Sequence, residues 1–172
     1  KYRVEACKFL FASDIDTFRE IAQECLIEII EDKRIPNKKR YDIICEYASN
    51  RGISSVMNSR KLNIPFDETF VFGLQVAFFK DPTNDIRCRL LSGQHLLQMT
   101  LTDDEMRTSI ISEFLAIADG TTIIYPPNDN SNESNNSNDF NDDPLYEENT
   151  RADAADMVLR LGSPSEVDLA RK

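Results

Sequence analysis

From Ile15 to Ile30 the apolar residues Ile15, Phe18, Ile21, Ala22, Cys25, Leu26, Ile29 and Ile30 recur at steps of three and four. A strand needs a step of two; this spacing instead lays one apolar stripe along a helix of 3.6 residues per turn. Ser13 is placed to be its N-cap. The same period returns along the chain. After Pro36 it is carried by Tyr41, Ile44, Cys45 and Ala48 and ends at Gly52. Behind Asp67, as a cap, come Phe70, Val71, Leu74, Ala77 and Phe78. The turn "KDPTND" leads into "IRCRLLSGQHLLQM". Thr102 and Glu105 form a capping box ahead of Met106, Ile110, Ile111, Phe114, Leu115 and Ala118, with Gly120 as the stop. "SPSE" repeats the device, with Ser163 as N-cap, Pro164 at the first helical position and Glu166 at the third. Alternation is confined to "TTIIY", which Pro126 and Pro127 halt. The pattern predicts an all-α chain.

At 172 residues and 41% apolar content the chain can bury a core. No run approaches eighteen apolar residues, so no membrane span is expected, and no signal peptide is visible. The first residue is Lys, and the chain reads as a piece of a longer one, intracellular, in cytoplasm or nucleus. Cys7, Cys25, Cys45 and Cys88 lie far apart among apolar residues, as reduced thiols acting as small hydrophobes. The single His95 has no Cys near it in sequence, so neither a metal nor a cofactor is expected. The formal charge is −10 and falls mostly after Gly120. That balance disfavours nucleic acid, whose binding draws on clustered cations.

Successive helices joined by short turns invite a search for repeats. With Arg3, Arg87 and Arg151 aligned, three helices fall into register. Their expected apolar positions are Val4, Ala6 and Phe9; Ile86, Leu90 and Leu97; and Ala152, Ala155 and Leu159. On the last helix these should pack against Ile110 and Phe114. The unit from Asp67 to Met99 resembles a repeat of the HEAT (armadillo-like) family, an α-solenoid of paired helices A and B. Such repeats carry an Asp in the turn and, six residues on, an Arg or Lys preceded by a β-branched residue; Asp81, Ile86 and Arg87 occupy those places. The resemblance implies that this Asp–Arg pair satisfies buried turn amides and a neighbouring unit together. Asp32 and Lys38 keep the spacing, with Asn37 where an apolar residue belongs, while Leu145 replaces the Asp ahead of Arg151. A generic helical bundle is the plainer alternative.

The expected organisation is one domain: HEAT-like pairs over 1–120, an acidic insertion rich in Asn, Ser and Asp over 121–147, and the repeat resuming over 148–172. The insertion has too little apolar content to offset the entropy of ordering it, so it is expected to be disordered. It is either a flexible acidic arm or a tolerated excursion. The turn "KRIPNKKR" gathers Lys33, Arg34, Lys38, Lys39 and Arg40, and Arg51, Arg60 and Lys61 would widen the patch. These eight residues are the candidate partner contacts, or else cations suited to a helix C-terminus and a solvated turn. Gly93, inside a helix, points to a tight helix contact, with His95 a satisfied neighbour.

No phosphate-binding loop, nucleophile elbow, zinc-protease or dinucleotide fingerprint occurs, and no catalytic residue is assigned. The resemblance implies a non-catalytic scaffold or adaptor in a multiprotein complex, binding partner segments along its B helices. Two alternatives stay open. One is a nucleic-acid-associated subunit of a chromosome-type complex that holds phosphate at the Lys33–Arg40 turn. The other is a structural subunit of a large assembly.

Overall fold

The structure is a computed structural model that describes residues 2–11, 13, 15–48, 67–124 and 145–170. Among the described residues there are eight helices and no strand, so the chain is all-α as its periodicity predicts. It divides into two units, Lys1–Phe78 and Phe79–Lys172.

The first unit contains α1 (Tyr2–Phe11), α2 (Asp16–Glu31), α3 (Asn37–Ala48) and most of α4 (Glu68–Lys80). Half of the α2 stripe does what its spacing dictates: Ala22, Leu26, Ile29 and Ile30 are buried. They meet Tyr41, Ile43 and Ile44 of α3 and Val71, Leu74 and Phe78 of α4 in the core. The first two turns of the stripe differ, since Ile15, Phe18 and Ile21 remain exposed. An aromatic row joins three helices, with Tyr47 at 4.4 Å from Phe11 and 5.5 Å from Phe70, ring centre to ring centre. Burial, with Asp67 nearby, pushes the Tyr47 phenol up to about 12.

The α1–α2 pair is antiparallel, because Arg3 joins Glu28 and Cys7 joins Cys25. On α1 the expected apolar positions are corrected: Ala6 and Phe9 are exposed, and Cys7 and Phe11 are the buried residues. The capping of α2 also changes. Ile15 takes the N-cap position without a side-chain bond, and its amide donates to Ser13 Oγ at 3.2 Å, a local turn instead of a cap. Asp67 does cap α4, accepting from the Phe70 amide at 3.0 Å.

The second unit is built on α5 (Ile86–Gln98), α6 (Asp104–Ala118), α7 (Tyr146–Leu161) and α8 (Pro164–Ala170). Asp85 caps α5 through the Cys88 amide. The cap of α6 is Asp103, which accepts from the Met106 amide at 2.8 Å; Thr102, expected there, instead gives its hydroxyl to the Leu96 carbonyl. A carboxylate one residue nearer the helix outcompetes the hydroxyl for the free amides. At α8 the Glu166 carboxylate accepts from the Ser163 amide at 2.5 Å, the returning half of the predicted box.

The core of this unit gathers Leu90 and Leu96 of α5, Ile110, Ile111, Phe114 and Ile117 of α6, and Ala154 and Val158 of α7. Gly93 is needed where α5 meets α6, because a Cβ there would stand 2.9 Å from the Phe114 ring. The predicted pairing of α7 with α6 is present, but its face is corrected. Ala152 and Leu159 are exposed and Ala155 is half-buried, whereas Tyr146, Thr150, Ala154, Met157 and Val158 turn inward. The second stripe buries more apolar volume, so it wins over the small-residue stripe that the arginine alignment selects. The helix also begins at Tyr146, inside the stretch assigned to the insertion. Of that stretch, residues 125–144 lie outside the described residues, as does the irregular 53–65.

Candidate functional site

The basic turn of the first unit is reorganised by one residue. Arg40 is 2% exposed, although a guanidinium in a run of cations is expected on the surface. Its Nη1 donates to the Ile30 carbonyl at 2.8 Å, its Nε to the Ile35 carbonyl at 3.0 Å and its Nη2 to Asn37 Oδ1 at 2.5 Å. The guanidinium also lies 5.5 Å from the centre of the Phe78 ring. Five donors in a planar fork match carbonyls that the end of α2 leaves open, so Arg40 closes the α2–α3 turn from within. As a partner contact it is corrected to an interior residue.

Arg34 is committed differently. It stands in solvent but holds Asp32 through a two-point pair at 2.8 and 2.7 Å. That bond holds the Asp32 carboxyl down to about 2. Lys33, Lys38 and Lys39 are exposed around the same turn. Arg51, Arg60 and Lys61 lie outside the described residues.

The aligned arginines each close a contact. Arg3 pairs with Glu28. Arg151 bonds Glu147 one turn back at 2.6 Å, and its guanidinium lies against Gly120. Gly120 has φ +83°, a left-handed stop for α6 that leaves no room for a side chain. Asp81 accepts from the amide and hydroxyl of Thr83 at 2.9 and 2.6 Å, which shapes the turn before α5. Six residues on, Arg87 reaches across to α7. Its Nε donates to Thr150 Oγ1 at 3.0 Å and its Nη2 to the Tyr146 carbonyl at 3.3 Å. Ile86, before it, is buried.

Around Arg87 the second unit builds a locked corner. The guanidinium stacks 4.4 Å from the centre of the Tyr146 ring. The Tyr146 hydroxyl donates to Asp85 Oδ2 at 2.5 Å, while Asp85 Oδ1 accepts from the Cys88 amide. Burial first, and then the Asp85 bond, drive the phenol's pKa above its ordinary value, so the ring stays protonated.

Beside this corner an open groove of about 360 Å³ runs between α5 and α7. Leu90 and Met157 form its buried floor, and Leu91 and Ala152 form its exposed walls. Arg87 borders it, as do Asn149 and Asp153, which stand one turn apart on α7. The arrangement provides an apolar seat with an amide, a carboxylate and a guanidinium at its edge. Such a lining suits a side chain together with its adjoining peptide groups. Of the groove residues only Arg87 belongs to the repeat signature. Tyr146 and Asn149 sit in or beside a low-complexity run that hides their three-residue spacing.

His95 is half-buried on α5, and burial lowers its pKa. Among the described residues no group of His, Cys, Asp and Glu is arranged to hold a metal ion, and no helix is long and apolar enough to cross a membrane. Compared with protein-family models, with curated proteins and with solved structures, the chain gives no match.

Proposed function

We propose that the chain is a non-catalytic interaction scaffold of HEAT-like helical pairs that holds a segment of a partner protein in the α5–α7 groove. The observation that carries this reading is the groove itself, with Leu90 and Met157 beneath and Arg87, Asn149 and Asp153 at its edge. Its Arg87 edge belongs to a locked corner, so little ordering of that side chain would be needed when a ligand binds, which favours affinity. The antiparallel α1–α2 pair supports a paired-helix repeat, whereas the exposure of Ala152 and Leu159 counts against the repeat at the α6–α7 end. Nucleic acid is the weaker alternative, because Arg40 is buried and Arg34 is tied to Asp32, which withdraws both arginines of the turn from phosphate.

The test places a photo-crosslinking side chain at Ala152 and identifies the captured peptide by mass spectrometry. A synthetic copy of that peptide then binds the unmodified chain, and Leu91→Glu weakens it at least about tenfold, or about 1.4 kcal/mol. Equal affinity of the two proteins for the peptide overturns the groove as the binding site.

A further inference from the structure

Arg3 and Glu28 join α1 to α2 and set the register of the antiparallel pair. From Arg3, one turn along α1 leads to Cys7; from Glu28, one turn back along α2 leads to Cys25. The two cysteines are therefore opposite one another, and their thiols share a hydrogen bond. One turn further back along α2 stands Ala22, fully buried. Cys7 is buried at 2% exposure and Cys25 is half-buried. Cys25 is thus the more open residue of the two, and Cys7 is the enclosed one.

We propose that Cys7 and Cys25 are a modification site, a dithiol that a small disulfide oxidant such as oxidised glutathione closes into a reversible disulfide. The order of events follows from access. The Cys25 sulfur attacks one sulfur of the oxidant, breaks its S–S bond and releases the first glutathione thiol. Cys25 then carries a mixed disulfide. The Cys7 sulfur attacks Cys25, forms the Cys7–Cys25 bond and expels the second glutathione. Both cysteine protons end on the two glutathiones, so the protein loses two electrons and the oxidant gains them. Burial, and then the bond to Cys25, push the Cys7 thiol up to about 12, so Cys7 does not make the first attack; its later attack on Cys25 is slow and depends on its fixed place opposite that sulfur. The closed bond would fasten α1, with its exposed Tyr2 and Phe9, to α2.

The experiment treats the whole 172-residue chain with oxidised glutathione, blocks remaining thiols, and maps denatured digests by mass spectrometry. The expected product is a peptide linked through Cys7 and Cys25 of one chain, and dithiothreitol reverses it. Cys7→Ser halts the reaction at a Cys25–glutathione adduct, and Cys25→Ser leaves Cys7 unmodified. The proposal is overturned if wild-type Cys25 stops at the adduct while Cys7 is recovered as a free thiol. A disulfide joining two chains overturns it as well. Should Cys7→Ser fail to fold, the wild-type map alone decides.

Discussion

Each unit holds an arginine over an aromatic ring, and the two are used differently. In the first, Arg40 is sunk beneath its turn and spends its donors on Ile30, Ile35 and Asn37. In the second, Arg87 reaches Thr150 and the Tyr146 carbonyl but stays half-buried at the border of a groove. Both sit in the first helical turn after a sharp corner. What separates them is the neighbouring backbone. The end of α2 leaves carbonyls to be satisfied inside the unit, so Arg40 is drawn in. Ahead of α5 the Phe79 carbonyl is already met by Arg89 Nε at 2.9 Å, and Arg87 can span to another helix. An arginine's role therefore follows from which orphan backbone groups lie within reach, more than from the charge of its sequence neighbours.

The largest expected effect tests the interior member. Arg40→Met keeps much of the volume but leaves the Ile30 and Ile35 carbonyls without their donors, at a cost of about 3 kcal/mol. Arg40→Lys should recover only part of that, because an ammonium cannot reproduce the planar fork. Urea denaturation of the three proteins reads the difference. If Arg40→Met is as stable as wild type, the arginine is not closing the turn, and the contrast with Arg87 fails.

A smaller effect is expected at the other corner. Tyr146→Phe removes the donor to Asp85 and keeps the ring beneath Arg87, at a cost of about 2 kcal/mol. The raised pKa of Tyr146 adds a sign. Its stabilisation is full below the unfolded tyrosine value, about 10, and is lost as the pH rises above it. Denaturation midpoints followed from neutral pH into the alkaline range should fall less steeply for Tyr146→Phe than for wild type. Parallel slopes would mean that this phenol does not couple ionisation to folding. A larger loss than at Arg40→Met would reverse the ranking of the two corners.

These two residues also show where the sequence was legible. Helix existence and type followed from the three-and-four spacing, and the α6–α7 pairing followed from the order of elements. The rotation of a helix is a subtler quantity. On α7 two stripes compete, and choosing by the register of Arg151 selects Ala152, Ala155 and Leu159, while burial selects Tyr146, Ala154, Met157 and Val158. Apolar volume was the available signal. Arg40 was hidden for a different reason. A run of cations predicts exposure on average, and only the backbone geometry of the α2–α3 turn reveals which one is captured. The groove joins residues some sixty positions apart, which no local pattern specifies.

The smallest effect sharpens the comparison within one turn, between the inner arginine and the outer one. Arg34 grips Asp32 in solvent, where ion pairs contribute little, so Asp32→Asn should leave stability at neutral pH nearly unchanged. Its signature lies in acid. The carboxyl is held down to about 2, against about 3.9 in an unfolded chain, so its contribution is present above the latter value. That contribution is lost as the pH falls through the former. Wild type should therefore show a larger proton uptake on unfolding between about pH 4 and pH 2 than Asp32→Asn does. Acid titrations followed by circular dichroism measure it. Identical acid midpoints would mean that the pair, though well formed, does not couple to folding. A large neutral-pH loss would place Arg34 beside Arg40 as part of the structural lock and erase the distinction between them.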